Sequence, residues 1–125
     1  MVEVTQDPIV PDLIIDRARG DSSNGATVSF IGSLRGCSAD GKLVRFAECE
    51  SDKQRAEQQL RKIDDEIRAN WQLENAVICH KVGRIEVGDV IMVVAVAAPH
   101  RREAFEACQY AVDRAKENIL IREIL

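Results

Sequence analysis

Apolar positions change their spacing several times along the chain, and each change marks an element. Near the N-terminus an irregular stretch carrying Pro8 and Pro11 leads into DLIIDRAR, which is apolar on one side and predicts a helix of about two turns ended by Gly20. DSSNG is loop chemistry. ATVSFIGSLRG then alternates, with Val28, Phe30 and Leu34 on one face and Thr27, Ser29 and Ser33 on the other, as a half-buried strand does. CSADG follows, where Asp40-Gly41 supplies the positive φ of a tight hairpin, so KLVRFAECE is expected as the partner strand.

Ser51 is the expected N-cap of a helix whose apolar residues Ala56, Leu60, Ile63 and Ile67 recur every three or four positions. Its other faces carry a mixture of both charges from Lys53 to Glu66, which predicts a solvated surface with some ion pairs one turn apart. AVICHKVGRIEVGDVIMVVAVAA holds two strand-like runs joined through Gly83 to Asp89, expected to pair antiparallel. After Pro99, HRREAFEACQYAVDRAKEN repeats apolar residues at Ala104, Cys108, Ala111, Val112 and Ala115 and predicts a second long helix. No repeat or Pro/Gly-rich linker divides the chain, so one domain over residues 1–125 is expected. Its class is α+β, with a mostly antiparallel sheet and two long helices.

Composition narrows the function. With 46% hydrophobic and 30% charged residues, the chain can bury a core without help from a metal or disulfide. A formal net charge of -4 disfavours nucleic acid as a partner. The longest apolar run, Val90 to Ala98, is far shorter than the roughly 20 residues that cross a bilayer, so no membrane association is expected. The N-terminus lacks the basic and apolar regions of a secretory signal, and a cytoplasmic location is expected. Cys37, Cys49, Cys79 and Cys108 form no CxxC pair, so they are expected as free, mostly buried thiols, with neither a redox site nor a metal site. Cys79 and His80 do not make a thiolate–base pair, because neighbours on a strand point to opposite faces. Neither GDSSNG nor GRIEVGD carries the GK[ST] ending that a phosphate-binding P-loop needs.

The residues with the clearest chemistry are His100-Arg101-Arg102, at the start of the last helix. Cations there oppose the helix dipole and are explained if an anion such as a phosphate fills the site. The alternative is that these arginines reach solvent or pair with Glu103 or Glu106. Arg35 ends its strand between Gly32 and Gly36, which allow close approach of a ligand, although a strand end often carries a charge anyway. Lys116 lies near the helix C-terminus, where the dipole alone favours a cation. Arg101 and Lys116 are fifteen residues apart on one helix, which separates their backbones by about 22 Å. If both serve one small ligand, they come from two copies of the chain, and the site lies across a homodimer interface.

GATVSFIGSLRG and HKVGRIEVGDVIMVVAVAAPHRREAFEACQYAVDRAK, in that order, resemble the large, catalytic subunit of molybdopterin synthase over roughly residues 20–118. The most specific part is HxxGxxxxGD, read as His80, Gly83, Gly88 and Asp89, together with HRxxAFEA, read as His100, Arg101, Ala104, Phe105, Glu106 and Ala107. The resemblance implies an α/β hammerhead-type domain and a homodimer at the centre of a heterotetramer. A small ubiquitin-like sulfur-carrier subunit would dock at each outer end. The carrier's C-terminal thiocarboxylate would deliver sulfur to cyclic pyranopterin monophosphate, forming the dithiolene of molybdopterin, with no cofactor and no metal required. Residue by residue, the likeness implies that His100 and Arg101 bind the cyclic phosphate. Arg35 would hold the anionic substrate or the carrier terminus, and Lys116 would act as a general acid/base or polarise an acyl adduct.

The chain departs from that family at its end. Members usually continue with a proline, aromatic residues and a PxWKKE-like stretch holding another active-site lysine, whereas this chain reads ILIREIL. Arg122 falls near the missing lysine and is expected to take its place in substrate binding, although a guanidinium does not exchange a proton near neutral pH. The usual Tyr and Met after KLVRF are also replaced, by AECESDKQRAEQQL. Two readings follow: a sulfur-transferring subunit in which Lys116 and Arg122 share the work, or a non-catalytic relative that binds the carrier or a pterin phosphate.

Overall fold

The computed structural model describes residues 1–20 and 23–125. In chain order the elements are β1 (Val2–Thr5), α1 (Pro11–Arg19), β2 (Ala26–Ser33), β3 (Phe46–Cys49), α2 (Lys53–Asn70), β4 (Asn75–Lys81), β5 (Arg84–Glu86), β6 (Val90–Ala98), α3 (Arg101–Asn118) and β7 (Ile121–Ile124). The strands form a four-stranded sheet in the order β1-β4-β6-β2 and a three-stranded sheet in the order β5-β3-β7. Only the β1–β4 pairing is parallel, so the α+β class with a mostly antiparallel sheet and two long helices holds.

The large sheet is covered on both faces at its centre, which explains why β4 and β6 read as unbroken apolar runs. On one face, Leu60, Ile63 and Ile67 of α2 and Ala107, Ala111 and Ala115 of α3 pack on Ile78, Val94 and Val96. The alanine stripe of α3 lets that helix lie close to the strands. On the other face, Ile14 and Ala18 of α1 cover Val77, Cys79, Val93 and Ala95. A third cluster, Leu34, Val44, Ala47 and Ile85, joins the small sheet to the end of β2. The helix-side cluster holds the C-terminal half of α3, and with it Lys116, against the large sheet.

Three expectations are corrected. KLVRFAECE does not pair with β2; β2 lies beside β6 along its whole length, and β3 belongs to the small sheet. The tight turn itself forms, with Gly41 at φ 81° and its N–H donating to the Ser38 carbonyl at 2.9 Å, but it closes on a single Cys37–Leu43 bridge. The nine apolar residues of β6 offer β2 far more burial than a strand whose Leu43 stays exposed. The N-cap of α2 is Asp52, whose carboxylate accepts the Arg55 N–H at 2.8 Å, whereas Ser51 is buried and donates to Gln59 Oε1. Finally, β1, β5 and β7 were not anticipated: three or four residues are too few to display a period. Gly20 does end α1, with φ at 61°, while Asp21 and Ser22 of the expected DSSNG loop lie outside the described residues.

Candidate functional site

The last turn of α3, the end of β2 and the chain entering β7 enclose a cavity of about 370 Å³ lined by Ser33, Arg35, Lys116 and Glu123 over an apolar floor that includes Ile91 and Ile119. The helix stops at Asn118, the Ile119 N–H still donates to the Ala115 carbonyl at 2.8 Å, and Ile119 buries its side chain as the chain turns away. Lys116 is thereby left exposed on the cavity wall. Its Nζ lies 5.5 Å from the centroid of the Phe30 ring, within cation–π range. A smaller annex of about 110 Å³ opens behind it, lined by Phe30, Ser33, His80, Met92 and again Lys116.

Strand parity decides what β7 contributes. Ile121 is in register with Cys49 and Glu123 with the buried Ala47, so Ile121 and Glu123 share the face that borders the cavity, with Glu123 exposed at its rim. Arg122 points the other way and donates from Nη2 to Glu48 Oε2 at 2.9 Å on the exposed face of the small sheet. Glu123, and not Arg122, therefore lines the cavity that Lys116 lines. Sequence reasoning missed Glu123, because the four residues of β7 are too few to show the alternation that would have marked it.

Arg35 is held through its neighbour. The Leu34 N–H donates to the Asp89 carbonyl at 3.0 Å, and the Gly88 N–H donates to the Leu34 carbonyl at 2.9 Å. Gly88, at φ 91°, takes a left-handed conformation that other residues adopt only with strain. The carboxylate of Asp89 accepts from Lys81 Nζ and from the Glu86 N–H, both at 2.9 Å, and Lys81 is only 7% exposed. The Gly-Asp of the HxxGxxxxGD pattern is thus a clamp that ties the β5–β6 turn to the segment carrying Arg35. The hydrogen bond from Lys81, then that from the Glu86 N–H, holds the Asp89 carboxyl below its ordinary value of 3.8. A depressed carboxyl contributes stability that is complete above that value and lost as pH falls through the folded one. Asp89→Asn is therefore expected to be less stable than wild type at neutral pH and to lose less of its remaining stability below pH 3.8, read as melting temperature against pH. Parallel curves for the two proteins would exclude this role.

His100 and Arg101 lie at the opposite end of α3. His100 is the N-cap residue but makes no side-chain capping bond, and with Arg101, Arg102, Pro99 and Gly25 it borders an open cavity of about 370 Å³. Arg102 pairs with Glu106 at 3.1 Å, one of the two alternatives open from sequence, while Arg101 makes no ion pair among the described residues. Arg35 and Lys116 thus share one cavity and His100 and Arg101 another. Fifteen residues of helix, about 22 Å, separate the two groups within one chain.

All four cysteines are free, but only two of them are buried as expected, Cys37 being exposed and Cys49 half-buried. Cys79 and Cys108 are buried, which pushes them up to about 12 and about 11, Cys79 with help from the nearby Glu3. Cys79 packs under α1 while His80 lines the annex on the other side of the sheet, so the adjacent pair is divided as expected. Among the described residues no group of three His, Cys, Asp or Glu side chains is arranged to hold a metal ion, and no helix is long and apolar enough to cross a membrane.

Residues 4–118 match the family model described as MoaE protein. The chain is 36% identical over 118 residues to the molybdopterin synthase catalytic subunit of Halalkalibacterium halodurans, covering 94% of this chain and 74% of that protein. It is 36% identical over 126 residues to the subunit of the same name from Thermoplasma volcanium, covering 99% and 90%. The crystal structure of molybdopterin synthase from Staphylococcus aureus superposes with a TM-score of 0.86 at 31% identity, covering 98% of this chain and 89% of that one.

Proposed function

The chain belongs to the MoaE protein family, and on that footing we propose that it is the catalytic subunit of a molybdopterin synthase, acting as a sulfurtransferase in the cytoplasm. Its substrates are cyclic pyranopterin monophosphate and the C-terminal thiocarboxylate of a small ubiquitin-like carrier subunit, two carriers being consumed for each dithiolene. The observation that carries the reading is that Lys116 and Arg35, from elements far apart in sequence, line the same cavity.

In this mechanism His100 and Arg101 of one copy hold the cyclic phosphate, where two side chains and the free N–H groups of a helix N-terminus complement an anion. Arg35 of the neighbouring copy neutralises the incoming thiocarboxylate. The thiocarboxylate sulfur forms the new C–S bond to a side-chain carbon of the pterin as a C–O bond of that carbon breaks, the oxygen leaving on the opened phosphate ester or, once protonated, as water. Lys116 moves the proton that each addition and each departure of the carrier requires. Water then cleaves the carrier's acyl–sulfur bond, leaving sulfur on the pterin and a carboxylate on the carrier. Two copies of the chain within a heterotetramer satisfy the 22 Å argument, since about that length of helix separates the two cation groups in each copy.

One observation favours the competing reading of a binding protein without sulfur transfer: Arg122 is committed to Glu48, on the face of β7 turned away from the Lys116 cavity. Mixing the protein with thiocarboxylated carrier and cyclic pyranopterin monophosphate separates the two. Dithiolene product is expected to accumulate with consumption of two carriers. Carrier bound in a stable complex with no product formed would establish the binding reading instead.

A further inference from the structure

One buried titratable group plays no part in the mechanism above. His80 lies on the face of β4 that packs against α2 and α3, in register with Val4 of β1 and Met92 of β6, and is 3% exposed. Ala76 and Ile78, which precede it on the same face, are core residues. An imidazole in that row is costly to desolvate, so a plain packing position would be better filled by another aliphatic residue.

The ring makes one hydrogen bond among the described residues, between Nδ1 and the Lys81 carbonyl oxygen at 2.7 Å. A carbonyl only accepts, so Nδ1 carries the hydrogen, and burial favours the neutral ring. Nε2 is then a bare lone pair. The ring lines the annex, whose only other polar side chains, Ser33 and Lys116, both donate hydrogen bonds. The Lys116 ammonium stands at Phe30, another wall of that 110 Å³ space, on a flexible stem.

We infer that His80 is a positioning residue: its Nε2 accepts a hydrogen bond from the Lys116 ammonium and fixes the lysine at the mouth of the annex for the reaction. The inference rests on the functional reading above. It also makes the site sensitive to acid. Protonation of His80 removes the acceptor and sets a second cation against Lys116. The charged groups facing this space are Lys116 from α3 and, on the adjoining cavity, Arg35 from the end of β2 and Glu123 from β7; β1 and β6 present the uncharged Val4 and Met92.

The test measures product formation against pH in the complete complex with carrier and pterin for wild type, His80→Phe and His80→Gln, together with the imidazole nitrogen NMR spectrum of the free protein. Phe is expected to lower the turnover rate roughly tenfold or more, the scale of one hydrogen bond to a charged group, with the pterin KM little changed. Gln, whose amide oxygen reaches the Nε2 position and does not titrate, is expected to recover most of that loss and to lack the acid decline expected of wild type, which burial of the imidazole sets at a pH below the ordinary histidine value. The spectrum should show the Nδ1–H tautomer, with an Nε2 resonance that moves on Lys116→Met. The inference is overturned by a Phe variant with the wild-type rate and pH profile, by the opposite tautomer, or by an Nε2 signal indifferent to Lys116→Met. If wild type itself makes no product, the functional reading fails, and the NMR result still decides whether His80 holds Lys116.

Discussion

Lys116→Ala is expected to cut dithiolene formation by about a hundredfold to ten-thousandfold, the usual contribution of a positioned proton-transfer group. The same substitution should leave the fold intact. Lys116 is exposed, its ammonium makes no ion pair among the described residues and stands at the Phe30 ring, and alanine is the better helix former. The change in stability should stay within about 0.5 kcal/mol, as for most surface substitutions. Loss of rate with an unchanged melting temperature therefore separates chemistry from folding. Lys116→Arg sharpens the result, because it keeps the charge and the reach but does not exchange a proton near neutral pH. It is expected to stay nearly as inactive as the alanine variant. An arginine variant at the wild-type rate would show that only the charge matters, and an alanine variant within twofold of wild type would remove Lys116 from the mechanism.

Arg101→Ala and Lys116→Ala are each expected to be close to inactive, yet to restore about a quarter of wild-type activity when unfolded together and refolded, if each site draws on both copies of a twofold dimer. Random pairing makes half of the dimers mixed, and each mixed dimer assembles one intact site and one doubly damaged site. The geometry behind this result is the length of α3, which carries the two cation groups at its opposite ends and holds them rigidly apart. A flexible connection would leave the outcome open; eighteen helical residues do not. No recovery from a mixture proven to contain mixed dimers would place all four residues in service of one chain, contrary to the distance. A protein that remains a monomer at assay concentration would have the same consequence.

Much of the site's chemistry was legible in the chain. Positive charge at the start of α3 conflicts with the helix dipole wherever it occurs, so His100 and Arg101 mark a candidate anion site without any knowledge of the fold. The separation of Arg101 from Lys116 needed only the rise of a helix. Glu123 and His80 were not legible in the same way. Residues 121–124 are too few to reveal a strand, so nothing indicated that Glu123 borders the cavity while Arg122 turns out to Glu48. His80 sits in a run where every residue from Ala76 to Lys81 is buried, so pattern alone cannot say which face it occupies. The same limit applies to Asp89, whose carboxylate reaches back across the turn to Lys81.

The sequence by itself determined the helices, the continuous apolar strands at the centre of the sheet, the α+β class and the cationic residues available for an anionic substrate. These follow from spacing and local charge, which are properties of neighbours along the chain. Only the tertiary structure decided that β2 lies against β6 rather than its hairpin partner, that β7 sets Glu123 on the cavity Lys116 lines, and that His80 borders the annex behind that lysine. Each of those outcomes depends on which distant segment gives a strand the most buried surface, a competition among all the strands of the chain that no single segment records.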